Sequence, residues 1–256
     1  MKRLLFSLSF VVFSLGSWAQ PPETLLLSIA PASAAGSSFT DPSDYSPIFW
    51  YQTDTGMTVD SEHITAYADH SPNGNDLVQG GASAPHFTNA VQNGLRAIDA
   101  ATGGSLVRQT LTQGTVSQPM TIYFVAAYSQ VAAYEFLMDS YASANRVAVL
   151  AGTSLANKLD LYAGTDQLTT AAVGVGWHYF TVIVNGASSK IRVDGVEQMS
   201  GLNVGANALA GIRFGSSYSD ANQWKSFIGD VVGYDSVHDA TKLANVEGWL
   251  KSRWGL

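Results

Sequence analysis

The last 33 residues constrain the fold more than any other stretch of this chain. Trp224 to Leu256 reads WKSFIGDVVGYDSVHDATKLANVEGWLKSRWGL. Within Ser226–Tyr234, apolar residues stand at Phe227, Ile228, Val231, Val232 and Tyr234, with Gly229 and Gly233 between them. Such β-branched and aromatic content specifies a strand, and the glycines specify close approach of a neighbouring layer. Ser236 or Asp239 then supplies a helix cap. Leu243, Val246 and Leu250 follow at helical spacing, one apolar stripe flanked by Trp249 and Trp254. Lys251 and Arg253 suit the negative end of a helix dipole, and Gly255 ends the helix. A chain that closes this way has one helix with a narrow apolar stripe, which must lie against a sheet. The reading predicts that it plugs one end of a β-sandwich, with the tryptophans as packing material.

The preceding chain supplies the sheets. Met120–Tyr128 (MTIYFVAAY) is a near-continuous apolar run, as expected of a central strand buried on both faces. Trp177–Val184 (WHYFTVIV) is the strongest strand signal, followed by an Asn185-Gly186 turn and a partner strand Lys190–Val193. Shorter strands are expected at 48–52, 64–68, 105–111, 135–139, 146–151, 158–163, 196–199 and 208–215, at the spacing of a sandwich. Charge is sparse, at 13% Asp, Glu, Lys and Arg. That suits an all-β protein with short, glycine-punctuated apolar runs, and 256 residues bury roughly 70% of their unfolded surface in a single core.

Residues 1–19 read as an export signal: Lys2 and Arg3, an apolar core from Leu4 to Gly16, and Ser17-Trp18-Ala19 as a cleavage site. The apolar run is too short for a membrane span. Cleavage after Ala19 implies a secreted, periplasmic or cell-surface protein, and the chain contains no cysteine. Residues 20–46 read as an N-terminal arm or linker, with a possible edge strand at 25–29, and the domain proper spans 47–256. Of the 13 basic residues, Lys2 and Arg3 leave with the signal, so 11 face 20 acidic ones, a net charge of −9. Such a field repels phosphate polymers and argues against nucleic acid as a partner. No Lys/Arg cluster suggests an anionic membrane.

Four motifs in order resemble one known family. Phe227–Ser236 (FIGDVVGYDS) and Glu247–Leu256 (EGWLKSRWGL) resemble the close of bacterial LamG-like jelly-roll domains of the concanavalin A-like lectin/glucanase superfamily. Asp69-His70-Ser71-Pro72-Asn73-Gly74-Asn75-Asp76-Leu77 is similar to the family's Asp-x-Ser-Gly-x-Gly-Asn-Asp run, with Pro72 in place of glycine and Tyr67-Ala68 where a tryptophan is usual. Ala84-Pro85-His86-Phe87 and Asn93-Gly94-Leu95-Arg96-Ala97-Ile98 continue the family-like order, a Pro after the turn and then Asn-Gly before an apolar strand. Trp177-His178-Tyr179-Phe180 with Val193-Asp194-Gly195 is the fourth. The resemblance covers about Ile48 to Leu256. It implies an all-β jelly-roll sandwich of two antiparallel sheets with one C-terminal helix, and a lectin-like or adhesive function.

Chemistry is harder to place. Glucanases on this fold need two carboxylates about 5–5.5 Å apart, and the best pair here is Glu135 with Asp139, four residues apart and so of the same strand parity. His178 and Tyr179 form a tempting base and acid, but adjacent strand residues point to opposite faces. His63, His70, His86 and His238 lack metal spacing. Asp69, Asn73, Asn75 and Asp76 gather oxygen donors as Ca2+ prefers; the same residues equally make Asx turns that bond their own backbone. For a polysaccharide or surface glycan, exposed aromatics beside amides and carboxylates are wanted. The favoured cluster is Tyr218, Asp220, Asn222 and Trp224, with Tyr141 and Tyr162 as further candidates. The primary expectation is therefore a non-catalytic carbohydrate-binding module. A lyase or hydrolase with an unrecognised site and a protein-contact module are the alternatives.

Overall fold

The computed structural model describes residues 39–129, 134–151 and 157–256. The expected signal, most of the arm and the strand at 25–29 lie outside them. The strands are β1 (Phe49–Tyr51), β2 (Met57–Asp60), β3 (His63–Tyr67), β4 (Leu77–Gln79), β5 (His86–Gln92), β6 (Leu95–Asp99), β7 (Leu106–Arg108), β8 (Met120–Tyr128) and β9 (Glu135–Asp139). They continue as β10 (Ala148–Ala151), β11 (Leu159–Tyr162), β12 (Asp166–Leu168), β13 (Gly176–Val184), β14 (Ser189–Val193), β15 (Val196–Leu202), β16 (Ile212–Phe214) and β17 (Phe227–Tyr234). One helix, α1 (Ala240–Trp254), follows.

All strand pairings are antiparallel and resolve into two layers. Sheet I runs β17–β8–β13–β14–β15, with β1 and β6 sharing the far edge of β17 and β5 beyond β6. Sheet II runs β2–β3–β4–β7–β16–β9–β10–β11–β12. A pairing of His63 with His86 joins the layers at one edge. The expected all-β sandwich with a C-terminal helix is what the chain forms.

Alternation on β8 shows how the layers pack. Ile122, Phe124, Ala126 and Tyr128 enter the core between the sheets, with Phe180 and Val182 of sheet I and Leu137, Val149, Leu161 and Ile212 of sheet II. Tyr123 and Val125 point the other way, under the helix. The strand is buried on both faces, as its unbroken apolar run requires.

The helix does not plug an end of the sandwich; it lies across the outer face of sheet I. Val246, Leu250 and Trp254 pack on Trp50, Tyr123, Val125, Tyr179 and Val232. The sheet's outer face is itself apolar, so the stripe is buried by area rather than by closing a gap. Asp239 caps the helix by accepting the Lys242 N–H at 2.9 Å, and Gly255 ends it at φ 65°. A methyl group at Gly229 would stand 2.5 Å from the Trp254 ring, so only glycine lets the helix approach β17. Three ion pairs tether it: Arg253 Nε to Asp230 Oδ2 at 2.6 Å, Arg253 Nη2 to Asp54 Oδ1, and Arg192 Nε to Glu247 Oε1 at 2.7 Å. Packed structure begins ahead of Pro47, where Tyr234 donates to the Pro42 carbonyl and Asn245 donates to the Tyr45 hydroxyl.

Candidate functional site

With α1 on sheet I, the outer face of sheet II is the broad sheet surface left uncovered by the helix. Strand β9 turns its side chains there irregularly. Val149 pairs with Met138 but Leu150 pairs with Phe136, so Leu137 is an extra residue in a bulge. Phe136 and Asp139 therefore both reach the outer face, where Asp139 is in register with Arg213 of β16.

Asp139 is fully buried and organises the face. Arg146, just before β10, grips it through Nε at 2.8 Å from Oδ1 and Nη2 at 2.7 Å from Oδ2. The carboxylate also accepts the Ser140 N–H at 2.8 Å and the Tyr218 N–H at 2.9 Å. Burial pushes its pKa up, and Arg146 pulls it back down. The Arg146 guanidinium sits among three rings, with centroids 5.1 Å away for Phe136, 5.1 Å for Tyr162 and 4.9 Å for Tyr218.

A second pair adjoins the first. Arg213 Nη1 lies 2.7 Å from Asp220 Oδ1, and Ser105 Oγ and Ser216 Oγ donate to the same oxygen. Tyr141 lies over the Arg213 guanidinium at 5.6 Å. The loop between β16 and β17 carries Tyr218 and Asp220. Asp220 and Asn222 take left-handed conformations, φ 59° and 53°, and the Asn222 carbonyl accepts the Phe136 N–H at 3.0 Å. That bond lays the loop along β9 and holds Tyr218 out, 39% exposed.

Four of the six candidate ligand residues thus meet on one face: Tyr218, Asp220, Tyr141 and Tyr162. Asn222 works through its backbone, and its side chain is exposed. Trp224 is a correction. It is 1% exposed, packs edge-on against Tyr128 and donates Nε1–H to the Ala127 carbonyl at 3.2 Å. Its ring anchors the loop from below and offers no stacking surface. Sequence reasoning missed Arg146, Arg213 and Phe136. The available signal was an arginine inside or beside an apolar strand, at Ile212-Arg213-Phe214 and Arg146-Val147-Ala148, which demands a buried counter-ion.

The other candidates disperse. The bulge breaks the expected common parity of Glu135 and Asp139: Glu135 is in register with Ala151, whose side chain is in the inter-sheet core, while Asp139 faces out. Burial raises the Glu135 pKa, and its Oε2 accepts the Lys225 N–H at 3.1 Å. His178 and Tyr179 part as alternation requires. Tyr179 lies under α1, whereas His178 lines a cleft of about 260 Å3 with Val193, Val196 and Gln198. His178 Nδ1 is 2.7 Å from Asp194 Oδ2 and Nε2 is 2.9 Å from the Gly174 carbonyl. Two oxygen acceptors call for a proton on each nitrogen, and the Asp194 bond raises its pKa.

The Asp69–Asp76 loop does not suit calcium in this arrangement. Asp69 Oδ1 accepts the Trp50 and Ser71 N–H groups, and Oδ2 accepts Ser71 Oγ–H and the Asn75 N–H, all within 2.8 Å. Those four bonds fill the four acceptor positions of a carboxylate. Asp76 accepts the Asp69 N–H, Asn73 donates to the Pro47 and Ile48 carbonyls, and Asn75 bridges Ile48 and Thr112. Among the described residues no group of three His, Cys, Asp or Glu is placed to hold a metal. The loop's oxygens fasten β1 to the segment before β4.

No protein-family model matches the chain, and no curated protein matches it. Solved structures do. Domain 4 of an extracellular GH43 arabinanase from Geobacillus stearothermophilus, in complex with arabinotriose, is 12% identical with a TM-score of 0.60, covering 78% of this chain and 98% of that one. A GH54 α-L-arabinofuranosidase is 13% identical with a TM-score of 0.61, over 83% of this chain and 60% of that one. The receptor-binding domain of botulinum neurotoxin C/D mosaic serotype is 12% identical with a TM-score of 0.56, over 80% and 51%. These likenesses are of fold: a β-sandwich shared with proteins of otherwise different sequence.

Proposed function

We propose that the protein is an exported, non-catalytic carbohydrate-binding module that holds glycan on the outer face of sheet II. The observation that carries the reading is Tyr218, an exposed ring fixed beside Arg146 and Asp220 by hydrogen bonds to its loop. Sugar rings stack on such faces through their C–H edges, and adjacent guanidinium and carboxylate groups bond hydroxyls. The similar arabinanase domain was solved with arabinotriose, and a botulinum neurotoxin type C of similar fold depends for cell entry on interaction with two ganglioside molecules. The LamG-like motifs support the finer assignment to lectin-type jelly rolls. The basic start and apolar core of residues 1–19 support export. Binding is favoured over cleavage because the bulge in β9 parts the best carboxylate pair and alternation parts the histidine from its tyrosine.

A glycan array probed with the mature protein, in calcium and again in chelator, tests the reading. Saturable binding to one sugar class, unchanged by chelator, is expected. Silence across arabinan, xylan, glucan and ganglioside-type glycans overturns it in favour of a protein-contact module. A signal that fades with incubation points to cleavage instead.

A further inference from the structure

The register of sheet II extends the site beyond its tyrosines. Val78 of β4 pairs with Val107 of β7, Val107 with Arg213 of β16, and Arg213 with Asp139 of β9. These four residues form one row across four strands, on the outer face. Three inter-strand steps of about 4.8 Å make the row roughly 14 Å long, and Arg146 and Tyr162 continue it past Asp139. At the far end the row enters a cleft of about 360 Å3, floored by Val78 and Val107 and flanked by Asp76, Arg108 and Gln109. Val78 is 50% exposed there, a large apolar side chain that nothing among the described residues covers.

Charge along the row selects the occupant. Arg146 is neutralised by Asp139 and Arg213 by Asp220. Neither of these two cations is left for a ligand carboxylate. Arg108, in the distal cleft, donates to the Thr110 carbonyl and the Thr112 hydroxyl and shares the cleft with Asp76. The net charge of −9 without residues 1–19 opposes anions further. Resting on the carbohydrate reading above, we propose that this face binds an uncharged glycan chain several sugars long, laid across the strands from Tyr162 and Tyr218 to a distal subsite in the Val78–Val107 cleft. Rings stack on Tyr218 at one end and on the valine floor at the other. The paired carboxylates leave hydroxyls, and not acid groups, as the preferred partners between them.

The test is a calorimetric titration of wild type and of Val78→Arg with arabinan-, xylan- and glucan-derived oligomers from disaccharide to hexasaccharide, and with oligogalacturonates of the same lengths. Val78 is exposed, so the substitution fills the cleft without touching the core. For wild type, affinity is expected to climb about tenfold or more from disaccharide to hexasaccharide of one neutral series, with none for the uronates. For Val78→Arg, hexasaccharide affinity should fall to the disaccharide level while disaccharide affinity stays unchanged. Preference for the uronates, or neutral binding without length dependence, overturns the inference and leaves the carbohydrate reading standing. No binding in any series overturns both.

Discussion

Replacing Asp139 by alanine tests whether the face is preorganised. The buried carboxylate holds Arg146 through two nitrogens and accepts two backbone N–H groups, one of them Tyr218's. Removing one partner of a buried pair costs about 3–5 kcal/mol, because the survivor is left charged and desolvated. The Arg146 side chain is 19% exposed, so water relieves part of that cost and the lower end, about 3 kcal/mol, applies. With a urea m-value of about 2–3 kcal/mol/M, the midpoint should fall by about 1 M. The double variant Asp139→Ala/Arg146→Met removes the stranded charge and should recover most of the loss. A single-variant shift below about 0.3 M, or a double variant no better than the single, would refute the idea that this ion pair is the structural centre of the face.

Three further outcomes follow from named contacts. His238 is buried beneath Tyr45 and Tyr234, with Nδ1 bonded to the Tyr123 hydroxyl at 2.8 Å; burial, aided by Lys242, lowers its pKa to about 4. A histidine held neutral destabilises the fold on protonation, so about 3 kcal/mol should be lost as pH falls from 6.5 towards 4. Urea midpoints of wild type and His238→Gln across that window should converge, and a constant difference would contradict the assignment. His178 has the opposite sign. Its pKa is raised by Asp194, so its contribution is complete below pH 6.5 and fades as pH rises through the folded value; a His178→Gln deficit that grows with pH would contradict it. Gly229→Ala drives a methyl group into Trp254 and should cost about 1–3 kcal/mol, read as a fall in Tm; an unchanged Tm would mean that α1 is not seated tightly on β17.

The sequence motifs proved to be legible because they are structural. Asp230 of Phe227–Ser236 accepts Arg253, the Trp254 indole and the Thr53 N–H. Glu247 of Glu247–Leu256 accepts Arg192 and the Thr181 hydroxyl. These residues dock the helix, so their spacing is set by the fold. Strands β8, β9 and β13 were readable from composition, since buried strands need continuous apolar runs. Strands β2 and β12 were not, because they are short, lie at the edge of sheet II and leave mostly polar residues exposed. For the site, tyrosines beside polar loop residues were visible, and Tyr218, Tyr141 and Tyr162 do meet. Their convergence was not visible, because it depends on a one-residue bulge in β9 and on pairings between residues as distant in sequence as Asp139 and Arg213. Trp224 misled for a related reason: a tryptophan at the end of a polar loop reads the same whether its ring turns out or in.

The most direct measurement is the affinity of Tyr218→Ala, against wild type, for whichever neutral oligosaccharide the array identifies. Tyr218 is 39% exposed and its backbone N–H, rather than its ring, is what Asp139 holds, so the substitution should leave the fold intact. Loss of a central aromatic contact costs more than about 1.4 kcal/mol, or tenfold in Kd. A Kd raised tenfold or more at unchanged Tm supports glycan binding on the outer face of sheet II. Unchanged affinity at unchanged Tm would contradict it and move the binding site elsewhere on the protein.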